Sequence, residues 1–310
     1  MKRVAIFAHY DGDAVIDEYV LYYLRNLLMV ADRILFVSDG ALAPTETAKL
    51  AGLAELVATG RHGEYDYGSW KRGLSLIGDG IGSWDEIILA NDSCYAPVFP
   101  FEDAFSRMAG VACDVWGPTG YRDREGLKFL NSYFLVFRRT AFDSADFWEF
   151  WSGIRPRVSK DEVVGEYEMG LSRMLLARGY RLATLVPADR DDLPVHGDYA
   201  RRLMVMHRSP WLKVSLFRDN PMRVPHLGDV LADIDRFYPR RLIDAHQRRL
   251  TKEDDPAHYH FWLGAFRWSW RDGRTLRIIG RTRRDRWWKL YVQLFGLTVF
   301  AFVLPLARRH

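Results

Sequence analysis

The sequence predicts an α/β fold, a mainly parallel sheet flanked by helices, and two observations predict it. Short apolar runs of strand length alternate with segments whose apolar residues recur at helical spacing, the pattern of βαβ units. Run after run stops at a polar cluster: His9-Tyr10-Asp11, Asp39 and Asn91-Asp92-Ser93. In parallel strands such clusters gather along one edge, and in open α/β sheets ligands bind beyond the carboxyl ends of the strands.

The elements follow in order. Val4–Ala8 reads as a first strand. Ile16, Tyr19, Val20, Tyr23, Leu24 and Leu27 fall three and four apart and make one helical face. Ile34–Val37 is a second strand, Pro44–Leu53 a short helix with proline near its first turn, and Leu56–Ala58 a third strand. Ile87–Ala90 is a fourth, Tyr133–Phe137 another, and Arg181–Val186 the last before Pro187. A helix over Leu171, Met174 and Leu175 closes at Gly179.

At 310 residues the chain suits one large domain with additions, or two smaller ones. The expected division is a catalytic domain over 1–205, a helical, Trp-rich extension over 206–280 and a basic-flanked apolar segment over 281–310. The net charge of +4 is uneven: Arg267–His310 carries eleven Lys and Arg against two Asp. The body before it is acidic, with no claim to a phosphate-backbone groove, so nucleic acid is not an expected partner. Cys94 and Cys113 form neither a disulfide framework nor a zinc spacing. The basic start MKRVAIFAHYDGD has too short an apolar run for a secretory signal.

Chemistry concentrates at a few places. Asp92 lies just beyond an apolar strand, where a carboxylate can hold a divalent cation against a phosphate; Asp92 and Ser93 there can also simply turn the chain. Neither GxGxxG nor GxxxxGK[ST] occurs, so a nucleotide needs another loop. Arg61 to Lys71 (RHGEYDYGSWK) qualifies. Its Gly63 and Gly68 permit close backbone approach, a helix start offers N–H groups, and Arg61, Lys71 or Arg72 adds charge; the alternative is aromatic packing under a turn. Glu168 falls on the apolar side of its helix near the expected N-terminus, as a base or a dipole partner. Lys213 or Arg218 can assist at a diphosphate, and His207 and His226 are candidate late metal ligands.

Leu290–Ala307 is uncharged and mostly apolar, preceded by Trp287-Trp288 and several arginines and followed by Arg308-Arg309. Such flanks suit a bilayer interface. The segment reads as a short span, an interfacial helix, a shallow hairpin insertion, or a C-terminal helix buried in a homo-oligomer.

FAHYDGD, VSDG, YDYGSWKRGL, LANDSCYAPVFPF, DVWGPT, NSYFLVFRR and LKVSLFRDNP occur in this order over residues 4–250. Together they resemble the rhamnan synthesis protein F family of bacterial glycosyltransferases. The resemblance implies a GT-A-like, nucleotide-diphospho-sugar transferase fold, and an inverting rhamnosyltransferase that moves L-rhamnose from dTDP-rhamnose to a lipid-linked cell-surface polysaccharide. It implies that His9, Tyr10, Asp11 and Asp39 line the base and ribose pocket, with Asp66, Gly68 and Lys71 near the donor. Asn91-Asp92-Ser93 stands where such enzymes carry Asp-x-Asp, which gives Asp92 to Mg²⁺ or Mn²⁺ with only the middle residue acidic. Glu166-Tyr167-Glu168-Met169-Gly170-Leu171 resembles the segment that supplies the base, which implies Glu168 in that role. The expected location is the cytoplasmic face of the bacterial inner membrane, attached through 287–307. A transferase of another nucleotide sugar and a non-catalytic nucleotide-sugar-binding scaffold are the alternative readings.

Overall fold

The computed structural model describes residues 1–123, 126–186, 206–218, 227–251, 276–282, 287–294 and 297–305. The chain divides into two compact units, Met1–Gln247 and Arg248–His310.

In the first unit, strands β1 (Arg3–His9), β2 (Arg33–Ser38), β3 (Glu55–Thr59) and β4 (Glu86–Asn91) alternate with helices α1 (Glu18–Leu27), α2 (Pro44–Thr47) and α3 (Tyr65–Ile77). The short β5 (Cys94–Tyr95) and helix α4 (Phe101–Ala109) follow, then β6 (Val115–Gly117) and a hairpin of β7 (Gly120–Asp123) and β8 (Gly126–Leu130). Next come β9 (Phe134–Arg138), α5 (Arg139–Phe142), α6 (Ala145–Ser152), α7 (Lys160–Val163), a π turn over Val164–Glu168, α8 (Met169–Ala177) and β10 (Leu182–Thr184). The central sheet has seven strands in the order β10-β6-β9-β4-β1-β2-β3. β9 runs antiparallel to both β4 and β6, whereas the other pairings are parallel.

Both faces of this sheet are covered, so its inner strands are apolar throughout rather than alternating. Every residue of β4 is buried. Ala5, Phe7, Phe36, Ile88 and Phe134 face a layer holding Tyr19, Val20, Tyr23, Leu24 and Leu27 of α1. Val4, Ile6, Leu35, Leu89 and Leu135 face Trp70 and Leu74 of α3, Phe147 and Trp151 of α6, and Leu171 and Leu175 of α8. α3 reaches the sheet closely at Gly73, where a Cβ would stand 2.3 Å from the Ile6 side chain. Residues Arg33 and Glu86 open their strands level with Val4 and Arg3, and at the other end Ser38 is level with His9 and Asn91 with Ala8. That register aligns the polar ends of β1, β2 and β4.

Past residue 205, β11 (Leu212–Lys213) pairs antiparallel with β5. Helices follow at Val214–Arg218, Leu227–Ile234 and Arg240–Thr251, the last two separated around Pro239. Val214, Leu216, Val230, Ile234, Leu242 and Ile243 join the core on the α1 face.

In the second unit, β12 (Leu276–Thr282), β13 (Trp287–Leu294) and β14 (Leu297–Pro305) form an antiparallel meander. Here the helical readings of Leu290–Ala307 are corrected. Its described backbone is a hairpin of β13 and β14, which suits the run of Thr, Val and Phe in LTVFAFVLP. Apolar length alone does not separate a helix from paired strands. Among the described residues no helix is long and apolar enough to cross a membrane. His226 and the Trp-rich segment 258–270 lie outside the described residues.

Candidate active site

Three acids from three elements meet at the carboxyl edge of β1, β2 and β4. Asp92 follows β4, and its Oδ2 accepts the Tyr10 backbone N–H at 2.8 Å from the end of β1. His9 Nε2 stands 4.0 Å from the same oxygen. Asp66, in the first turn of α3, accepts from Asn91 Nδ2 at 2.9 Å. Glu168 accepts from Ser132 Oγ at 2.7 Å and Asn131 Nδ2 at 3.4 Å. β9 follows Ser132 and is antiparallel to β4, so its amino end lies on this same edge, with Phe134 level with Ala90.

The acids feel one another. Burial raises the Asp92 carboxyl well above the ordinary carboxylate range, and the Asp66 charge adds to it. Burial also raises Asp66; Lys213 and Lys160 oppose that rise, while Glu168 reinforces it. Asp66 is therefore the electrostatic link between Asp92 and Glu168. Perturbed carboxyls crowded at a sheet edge are a mark of functional sites.

A hydrogen-bonded chain runs behind Asp92. Asn91 Oδ1 accepts from Ser93 Oγ at 2.6 Å, and Ser93 Oγ accepts from the Lys213 ammonium at 2.9 Å. The same ammonium sits 4.6 Å from the centre of the Tyr133 ring. Tyr133 shares a hydrogen bond with Thr119 at 2.9 Å, and Thr119 Oγ1 donates to Asn131 Oδ1 at 2.9 Å. Burial pushes the neighbouring Cys94 thiol up to about 11, so it stays protonated near neutral pH.

The other sequence-derived residues divide into two groups. His9 is buried and pinned to Ser38 Oγ at 3.0 Å and the Val15 carbonyl at 3.2 Å. Asp11 Oδ1 accepts the backbone N–H groups of Asp13 and Val15 and so shapes the loop. Asp39, also buried, accepts from the N–H of His62 at 2.6 Å and of Gly63 at 3.1 Å, tying the end of β2 to the loop before α3. These three position backbone. Tyr10, by contrast, is about half exposed, with the Arg61 guanidinium 4.9 Å from its ring centre, an aromatic and cationic platform beside Asp92.

At the start of α3, Tyr65 adopts a left-handed backbone (φ 56°), a strained state for a bulky residue that turns the chain sharply into the helix. Gly68 is required there for space, since a Cβ would fall 2.2 Å from Glu64 Cβ and 2.9 Å from His62 Nδ1. Lys71 is directed elsewhere, donating to the Ile154 carbonyl at 2.8 Å. The backbone carbonyl of His207 accepts from Arg107.

The expected setting of Glu168 is corrected. The helix does not begin near Glu166 but at Lys160, capped by Ser159, whose Oγ accepts the Glu162 N–H at 3.2 Å. Glu168 thus sits in mid-helix, at the end of a π turn, beyond the reach of a helix N-terminal dipole. The π turn is the kind of insertion often found where a helix re-aims a functional side chain. Asn131 and Ser132, which hold Glu168, and Thr119, which holds Asn131, were given no role by sequence reasoning.

A family model described as rhamnan synthesis protein F matches residues 34–264. No curated protein matches the chain. Among solved structures, S. aureus TarS 1-349 is 11% identical, covering 94% of this chain and 96% of that one with a TM-score of 0.36. A second S. aureus TarS structure is 13% identical, covering 100% and 70% with a TM-score of 0.34. Superposition that loose carries no inference about chemistry.

Proposed function

The chain belongs to the rhamnan synthesis protein F family, a glycosyltransferase-type family of polysaccharide synthesis, and from that premise we propose that it is an inverting GT-A-like rhamnosyltransferase using dTDP-rhamnose. The observation that carries the proposal is the convergence of Asp92, Asp66 and Glu168 on one sheet edge. The acceptor hydroxyl oxygen attacks the anomeric carbon and forms the new glycosidic bond. Glu168 takes the hydroxyl proton as the carbon–oxygen bond to the diphosphate breaks, with its electron pair leaving on the nucleoside diphosphate. Ser132 and Asn131 aim the carboxylate at that proton. Asp66 and Asp92 accept donor hydroxyls, and Tyr10 with Arg61 stacks the base.

The acceptor we propose is a lipid-linked saccharide at the cytoplasmic face of the inner membrane. The Trp287-Trp288 pair that opens β13 and the apolar rest of the β13–β14 hairpin would attach the protein there.

The test is a turnover screen of purified protein against dTDP-, UDP- and GDP-sugars, reading release of nucleoside diphosphate with and without acceptor. Preferred turnover of dTDP-rhamnose, lost in Asp92→Ala and Glu168→Gln while both variants stay folded, is the expected result. Preference for another nucleotide would reassign the donor. No turnover with tight binding would make the chain a nucleotide-sugar-binding scaffold.

A further inference from the structure

The edge that gathers these acids also holds a built-in cation, and the donor set around Asp92 does not fit a resident divalent metal. Mg²⁺ or Mn²⁺ held by the protein alone asks for several oxygen ligands, whereas a metal that arrives with the donor's phosphates needs only one or two carboxylates. The Asn91-Asp92-Ser93 turn offers one carboxylate. Its Asn91 Oδ1 accepts from Ser93, and Ser93 Oγ is held by an ammonium. Asp66 and Asp92 each have one oxygen already engaged, by Asn91 Nδ2 and by the Tyr10 N–H. Among the described residues no three His, Cys, Asp or Glu side chains are grouped to hold a metal ion.

Lys213 fills that place by construction. The pairing of β5 with β11 sets Lys213 level with Cys94, one residue past Ser93, and the Val214 N–H donates to the Ser93 carbonyl at 2.9 Å. The ammonium is then fixed by Ser93 Oγ at 2.9 Å and by the Tyr133 ring at 4.6 Å. It opposes the negative charge at Asp66. An ammonium has three donors, so the Ser93 bond leaves others for anionic oxygens.

Resting on the glycosyltransferase reading, we propose that Lys213 is the cation that binds the donor's diphosphate and stabilises it as it leaves, without a resident divalent metal. A fixed positive charge aimed at the leaving oxygens lowers the barrier as charge accumulates there, because no reorganisation is needed at that moment. Lysine is suited to this as a compact point charge.

The experiment measures binding of dTDP by calorimetry and release of dTDP from dTDP-rhamnose, each in EDTA and in Mg²⁺ or Mn²⁺. Wild type, Lys213→Ala, Lys213→Gln and Lys213→Arg are compared, with melting temperatures as the folding control. Wild-type affinity and turnover within about twofold between EDTA and Mg²⁺ are expected. Lys213→Ala and Lys213→Gln should weaken binding at least about tenfold in both conditions, with Lys213→Arg in between, the scale of one lost charge-assisted hydrogen bond. Turnover that stops in EDTA and returns with Mn²⁺ would overturn the inference while leaving the transferase reading intact. So would unchanged dTDP affinity in a folded Lys213→Ala. Failure of every nucleoside diphosphate to bind would overturn both.

Discussion

The two edges of the central sheet both collect acids, on opposite terms. At the amino edge, Glu86 meets Arg3 Nε at 2.6 Å and Arg138 Nε at 3.5 Å. Asp114, just before β6, accepts from the Arg181 N–H at 2.8 Å, its Nε at 3.1 Å and Thr140 Oγ1 at 2.7 Å. The Arg181 guanidinium, with those hydrogen bonds, holds Asp114 far below the ordinary carboxylate range. At the carboxyl edge Asp66 and Asp92 are raised instead, chiefly by burial, with the Asp66 charge adding to Asp92 and the Glu168 charge to Asp66. Acids matched by arginines knit strands together. Acids less fully matched by positive charge are the candidates to accept the hydroxyls of the proposed donor.

The comparison breaks first at Glu168. If the carboxyl edge is the reacting edge, Glu168→Gln should lower kcat by about 10²–10⁴, the range for a lost general base, with KM and melting temperature nearly unchanged. A kcat within a factor of a few of wild type would remove Glu168 as the base.

The amino edge predicts the reverse. Asp114→Ala should cost about 1–3 kcal/mol of stability by leaving hydrogen-bonding groups of Arg181 and Thr140 without their acceptor. Activity per folded molecule should hold. The pH dependence has a definite sign: a carboxyl depressed in the folded state contributes stability that is full above the unfolded value near pH 4 and is lost as pH falls below it. Denaturant titrations of the wild type and Asp114→Ala should therefore converge toward low pH. A constant difference down to pH 2 would refute the assignment.

Ser132→Ala is a smaller perturbation of the carboxyl edge. Ser132 acts through Glu168, so the variant should lower kcat by about tenfold, as one lost hydrogen bond implies, and shift the pH–rate profile, with Ser132→Thr restoring part of it. A folded Ser132→Ala with an unmoved pH profile would reduce Ser132 to packing.

How much of this was legible in the chain depends on the range of the interaction involved. β1, β2, β4, α1 and α3 rest on local periodicity, and the polar strand ends could be read directly from it. The direction of β9 could not, because an apolar run reads alike both ways. Its reversal is what brings Asn131 and Ser132, rather than Arg138 and Arg139, to the acids. The start of the Glu168 helix was legible and passed over: Ser159-Lys160-Asp161-Glu162 is a capping-box pattern, and the Val158 N–H bonded to Glu162 Oε2 completes that end. Lys213 beside Ser93 depends on pairing of segments more than a hundred residues apart, which no local pattern encodes.

Asp92→Asn is the finest probe, since it sets stability against function at one atom pair. Asparagine keeps an oxygen for the Tyr10 N–H and removes the charge that burial and Asp66 disfavour. A carboxyl raised in the folded state makes the folded chain bind the proton more tightly, so its ionisation opposes folding as pH rises past the unfolded value. The variant should gain about 2–4 °C in melting temperature at neutral pH, the shift of about 1 kcal/mol in a domain of this size, while losing most of its turnover. The gain should shrink below pH 4, where the wild-type carboxyl is protonated in both states. A lower melting temperature at neutral pH would mean that the Asp92 charge stabilises the fold as Asp114 does, and the two edges of the sheet would no longer differ in kind.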